Sequence, residues 1–282
     1  MTEPLALEFM QRSLLAAVLA VVTTSVVGTW IVVRGLAFMG DALAHGIVPG
    51  VALAFLLDIN LVVGAVAAAA VMVGAISLIH RTTTLGEDTA IGLLFVGMLA
   101  LGVIIISRSR SFAVDLVAIL FGDVLAITGD DILVQAVAAA LALGGVALLY
   151  RPLLVLSFNE QKAEVLGLHP RSTHLAMMGL ITLAVVTSYQ TVGTLLVFGL
   201  LIAPPATAVL IARRVPVLMV TAAGLGIVAV VAGLLVSYHL DLAAGATMSG
   251  LSVAGFFATL AGRGVVRWLR LRPSARSDLA TR

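Results

Sequence analysis

The chain reads as an all-α polytopic membrane protein, and three quantities carry that expectation. Hydrophobic residues make up 61% of its 282 positions, charged residues only 11%, and mean hydropathy is +1.19. A soluble domain carries about 25% charged residues and about 45–50% apolar ones, so this composition has too few charges to cover a water-facing shell. The 27 glycines and the 5% aromatic content suit helices packed closely through small residues in lipid. With 0 Cys, disulfides, iron–sulfur clusters, thiolate zinc sites and cysteine nucleophiles are excluded. A net charge of +2 is too small to imply a nucleic-acid partner.

A crossing helix needs about 20 apolar residues to span a hydrocarbon core of roughly 30 Å. Stretches of that kind free of Asp, Glu, Lys and Arg are Ser13–Val33, Ile59–Ile79, Thr89–Ser107, Ile132–Tyr150, Val215–Tyr238 and Leu242–Gly262. Arg12 precedes the first, but that stretch is long for a signal sequence and no A-x-A-like site follows, so it reads as a retained helix. Gly35–Leu57 adds one span interrupted only by Asp41 and His45. His174–Ala212 would extend about 58 Å as one helix at about 1.5 Å per residue. It must therefore fold back, and the polar patch Ser188, Tyr189, Gln190, Thr191 before Gly193 marks the turn. Eight to nine crossings result. Phe112–Ile127, shorter and holding Asp115 and Asp123, is expected to be a short half-helix. The crossings form one transmembrane domain over residues 1–268, followed by a basic tail, 269–282, expected to be disordered.

Lys and Arg in short loops set orientation. Arg263, Arg267, Arg270, Arg272, Arg276 and Arg282 place the C-terminus in the cytoplasm. Alternation then puts His239 and Asp241 outside, where they could meet an incoming cation, and Arg151–Thr173 inside. Nine crossings put the N-terminus outside.

The most informative segment for chemistry is Gly40–Gly50. Asp41 and His45 are four apart and share a helical face about one turn apart. A carboxylate and an imidazole so placed can share one divalent ion of the zinc, manganese or iron kind. A membrane-embedded acid costs about 2.5–3.5 kcal/mol on insertion scales, which calls for a use. A structural Asp–His hydrogen bond, or a pair near the membrane surface, is the other account of the same spacing. Gly46 and Gly50 form a GxxxG step for close helix approach, and Pro49 removes the helical partner of the His45 carbonyl.

In the loop Arg151–Thr173, Ser157-Phe158-Asn159-Glu160 has capping-box spacing. Gly167 stops the helix and Pro170 prevents its resumption. The product is a short helix offering Phe158, Ala163 and Leu166 among charges, a shape suited to docking in a partner's groove. Thr84 to Glu87 repeats the capping spacing before the next span. Pro204 and Pro205 release the carbonyls of Leu200 and Leu201, so a helix break lining a pathway is expected there, as at Pro49. His80, His169 and His174 read as surface histidines. There is no GxxxxGK[ST] phosphate loop and no HExxH, so the chain is neither an ATPase nor a zincin.

At these residues the chain resembles the permease subunits of bacterial ABC importers for zinc, manganese or iron. The resemblance runs through VVRGLAFMGDALAHGIVPGVAL (Val32–Leu53), GEDTAIGLLF (Gly86–Phe95), LFGDVLAI (Leu120–Ile127), FNEQKAEVLGL (Phe158–Leu168) and TVGTLLVFGLLIAPPATA (Thr191–Ala208), in order, with Pro205 standing where many relatives have Ala. It implies a fold similar to the cobalamin and siderophore importer permeases and a multi-pass protein of the bacterial cytoplasmic membrane. It implies transport rather than enzymatic activity, with ATP hydrolysed by a separate ATP-binding subunit. The implied partners are that subunit, a periplasmic or lipid-anchored metal-binding protein, and a second permease protomer in a homodimer. By the same resemblance Asp41 and His45 are the metal pair, and Asn159, Glu160, Ala163, Glu164 and Gly167 belong to the coupling helix that touches the ATPase. No cofactor is held permanently; the dication is cargo, expected to be zinc first and manganese second, although Asp and His ligands serve both. A proton-coupled secondary metal transporter, or the permease of a chelated-iron or cobalamin importer, is the alternative.

Overall fold

A computed structural model describes residues 8–107, 127–158 and 160–271. The described residues form twelve helices and no strands: α1 (Glu8–Arg34), α2 (Ala37–Gly46), α3 (Val48–Leu56), α4 (Leu61–Thr82), α5 (Glu87–Ile106), α6 (Gly129–Leu148), α7 (Tyr150–Phe158), α8 (Glu160–Val165), α9 (Pro170–Val192), α10 (Thr194–Ile211), α11 (Val215–Leu240) and α12 (Ala244–Leu271). Among the described residues, eight stretches are long and apolar enough to cross a membrane, with α2 and α3 together making one of them, Ala37–Leu56. The apolar part of α10, Leu196–Ile211, is shorter. The half-helix expected at Phe112–Ile127 falls, apart from Ile127, outside the described residues. α12 continues to Leu271, and the rest of the basic tail also lies outside them.

The turn expected after Ser188–Thr191 is made at Gly193, between α9 and α10, with φ 77° and ψ 161°. Glycine enters that region without a Cβ penalty, and its N–H still closes α9 by donating to the Tyr189 carbonyl at 2.9 Å. Capping was harder to place. Thr84 does not cap α5; Gly86 holds the N-cap position with no side-chain bond. Ser157 lies inside α7 and donates to the Leu153 carbonyl at 2.8 Å instead of capping α8. The capping box is at Thr128, whose hydroxyl accepts from the Asp131 N–H while the Asp131 carboxylate accepts from the Thr128 N–H.

α1 runs through the centre, with 67% of its most apolar stretch buried, and Ala37–Leu56 is the other buried span at 72%. α12, at 17%, lies at the periphery on α10 and α11. α1 packs against α6, α9, α10 and α11. Ser13, Thr23, Thr24 and Thr29 of α1 each donate to the carbonyl four residues back, at 2.7–2.8 Å, while the Ser25 hydroxyl is buried without a hydrogen-bond partner among the described residues. Backbone polar groups in lipid need internal partners, and the four bonded hydroxyls follow the same rule. Small residues set the closest approaches. A Cβ on Gly50 would overlap the Gly64 carbonyl, and one on Gly64 would overlap that of Gly50, so α3 and α4 meet backbone to backbone.

Candidate metal site

Asp41 and His45 lie on α2, which ends at Gly46; Ile47 interrupts the helix and α3 restarts with Pro49 in its first turn. Proline fits a first turn because its missing N–H is unneeded there. The His45 carbonyl, expected to be free, takes the N–H of Ile47. Along the span Ala37–Leu56, His45 sits near the middle, about 12 Å from the start at about 1.5 Å per residue.

The imidazole Nε2 of His45 is 3.3 Å from Oδ1 of Asp41, and the two side chains keep 20% and 21% exposure respectively. The pair expected from spacing is therefore assembled, half-buried and accessible. The Nδ1 of His45 is buried without a hydrogen-bond partner among the described residues. Among those residues no cluster of three or more His, Asp or Glu side chains comes together.

Three neighbours shape the pair. Phe95 of α5 meets the His45 ring edge-on, with centroids 5.8 Å apart, and also meets Phe38 at 5.5 Å. Met72 of α4 seats its sulfur against Gly46, where a Cβ would overlap it. Leu201 of α10 places its side chain against Gly40, next to Asp41, and its carbonyl against Gly28 of α1.

That last contact corrects the expectation for Pro204 and Pro205. α10 runs through both prolines without interruption. Pro205 removes the partner of the Leu201 carbonyl, and the side-chain-free Gly28 lets α1 come up against that oxygen. Neighbouring helices commonly absorb a freed carbonyl in this way. Only the break near Pro49 is present.

The short helix α8 has the expected stop. Gly167 takes φ +70°, its N–H donates to the Glu164 carbonyl at 3.0 Å, and the Leu168 N–H donates to that of Ala163 at 3.0 Å, the paired bonds of a Schellman motif. Glu160 opens the helix; Asn159 lies outside the described residues. Ala163 is buried rather than displayed, while Phe158, Val165 and Leu166 are exposed at 75%, 88% and 65%. A cavity of about 410 Å³ lined by Glu164, Gly167, Leu168, His169, Pro170 and Arg171 separates α8 from the start of α9. His174 is no plain surface residue: Arg34, at the end of α1, donates to its Nδ1 at 3.1 Å and to the Met177 sulfur at 3.5 Å. His239 is exposed, bonded at 2.8 Å to the Leu235 carbonyl, and the exposed Asp241 caps α11 with φ 51°.

The ABC 3 transport family matches residues 6–263. The chain belongs to that family. It is 37% identical over 244 residues to the manganese transport system membrane protein MntC of Halalkalibacterium halodurans, covering 86% of this chain and 84% of the relative. It is 35% identical over 244 residues to the chelated iron transport system membrane protein YfeD of Yersinia pestis, covering 86% and 82%. Among solved structures, PsaBC from Streptococcus pneumoniae in complex with Fab superposes with a TM-score of 0.81 at 34% identity, covering 90% of this chain and 91% of that one. This ABC 3 chain is accordingly a multi-pass membrane permease of a metal-importing ABC system.

Phe95, Met72, Leu201 and Gly28 were not singled out as site residues by sequence. Phe38 could have been, since it precedes Asp41 by three and His45 by seven and so shares their face. The other contacts are made across the fold, where no local spacing reports them.

Proposed function

We propose that this chain is the permease of an ATP-driven manganese importer, with Asp41 and His45 as the transient metal ligands. The single observation that carries this is the pair itself, an acid and an imidazole brought within 3.3 Å at the middle of a buried, broken span. Carboxylate oxygen and imidazole nitrogen suit manganese and also iron, and relatives are named for both metals. These names favour manganese over zinc, the first expectation, which ligand type does not distinguish from manganese. A site with two protein ligands binds loosely, which favours release over storage.

The partners we infer are an ATP-binding subunit seated on α8, a metal-binding protein delivering cargo from outside, and a second copy of this chain forming a homodimer. The chain sits in the bacterial cytoplasmic membrane with its C-terminus in the cytoplasm, in keeping with Arg263 and Arg267 at the end of α12. When the ATP-binding subunits close on nucleotide, they push α8. α8 leads into α9, and the Arg34–His174 bond ties the start of α9 to the end of α1, just before the metal-bearing α2. Movement at α8 thereby reaches the pair.

The test is manganese uptake into proteoliposomes holding the permease, its ATP-binding subunit and the metal-binding protein. Uptake should require hydrolysable ATP, should prefer manganese to zinc, and should stop with a hydrolysis-dead subunit. Uptake that persists without hydrolysis and follows a proton gradient would instead establish the proton-coupled alternative.

A further inference from the structure

We propose that Phe95 is a positioning residue for cargo binding: it fixes the aim of the His45 imidazole and so sets how tightly the metal is held. This deepens the assignment of Asp41 and His45 and rests on it. A metal-binding histidine almost always donates its far ring N–H to a carboxylate, carbonyl or water, which fixes the ring and raises its basicity. His45 has no such bond. Its Nε2 faces Asp41 at 3.3 Å, and its Nδ1 is buried with no hydrogen-bond partner among the described residues. Beyond the Asp41 contact, rotation of the ring is therefore restrained by packing.

The packing comes from α5. Phe95 meets the imidazole with centroids 5.8 Å apart and planes at 62°, and it meets Phe38 at 5.5 Å and 73°. Both are edge-to-face arrangements, the favoured geometry of ring pairs. Phe38, Asp41 and His45 share one face of α2, so Phe95 is a wedge against that face, next to the ligands and touching one of them. Gly92, one turn earlier on α5, also faces the Phe38 ring, which an added Cβ would meet at an ordinary contact distance of 3.6 Å. An aromatic ring orients the imidazole without accepting its proton. The ligand keeps its aim through an apolar contact, which suits passing an ion onward.

The experiment measures manganese(II) binding to the purified permease complex by loss of the free-ion paramagnetic resonance signal. Wild type is compared with Phe95→Leu, Phe95→Tyr and His45→Ala, with thermal unfolding of each complex recorded alongside. Phe95→Leu, which keeps apolar bulk but loses the ring, should weaken binding by about three- to tenfold, the range expected for an aromatic contact. Phe95→Tyr should restore it to within about twofold, the scatter such contacts show with context. If Phe95→Leu binds as wild type while His45→Ala loses the ion, the role of Phe95 is overturned and the metal pair stands. If Phe95→Tyr is as weak as Phe95→Leu, the ring is not what matters and the proposal also fails. Normal binding by His45→Ala would overturn the underlying assignment of the pair.

Discussion

Two proline-bearing segments behave in opposite ways, and the difference lies in what meets the carbonyl each proline releases. At Pro49 the helix stops and restarts: α2 ends at Gly46, and the His45 carbonyl takes the Ile47 N–H. At Pro204 and Pro205 the helix continues, and the Leu201 carbonyl lies against Gly28 of the buried helix α1. The lesson is that a proline sets up an unpaired oxygen, and the neighbouring helix decides whether the backbone must bend to deal with it. The segment that breaks is the one carrying Asp41 and His45. The unbroken one instead places Leu201 against Gly40, beside that pair.

The largest effect should follow from filling the notch that lets α10 stay straight. Gly28→Val drives a side chain into the Leu201 carbonyl, and overpacking of this kind costs about 1–3 kcal/mol or more. The expected outcome is a marked fall in folded permease recovered in detergent, with Gly74→Val, at a position with nothing within 4 Å of an added Cβ, as the control that holds. Equal recovery of the two variants would break the comparison.

Next comes the bond that joins the α1–α2 hairpin to the start of α9. Arg34→Ala and His174→Ala should each destabilise the protein by about 1 kcal/mol, a modest figure because both groups are only part-buried. The double variant should be no worse than either single one. A double-mutant cycle on denaturant unfolding checks this, and additive losses would show that the two residues act separately.

The smallest effect on stability, and the sharpest contrast, should come from the prolines themselves. Pro205→Ala and Pro49→Ala should each change stability by less than about 1 kcal/mol, since neither native site is strained by its proline. Their uptake should diverge. Pro205→Ala leaves an already continuous helix as it is, whereas Pro49→Ala supplies the helical N–H that can replace Ile47 on the His45 carbonyl and lets α2 run into α3. That re-aims the metal pair, and a shift of about 1 Å in ligand position can cost tenfold or more. Equal uptake by both variants would mean the break has no part in transport.

The sequence made the crossings legible because apolar run length is a physical requirement of the bilayer. The turn at Gly193 was legible for the same reason, as His174–Ala212 is too long for one crossing and glycine alone accommodates that φ easily. The Asp41–His45 pair followed from a spacing of four on one helix. Caps were less legible, because the spacing Ser/Thr-x-x-acid recurs wherever these residues fall. It is a cap only where the backbone is extended at the first position, as at Thr128 with φ −90° and ψ 166°, and not at Ser157 inside α7. The fate of Pro204 and Pro205 was hidden because it depends on Gly28, more than 170 residues away in the chain. The Phe95 contact with His45 likewise joins two helices whose pairing no local pattern states.

The central claim is that Asp41 and His45 carry the ion, and one measurement tests it most directly. Manganese uptake is recorded for assembled complexes bearing Asp41→Ala or His45→Ala, with ATP hydrolysis and subunit stoichiometry checked in the same preparations. The account predicts intact assembly with uptake at background in both variants. Wild-type uptake by either one would contradict it.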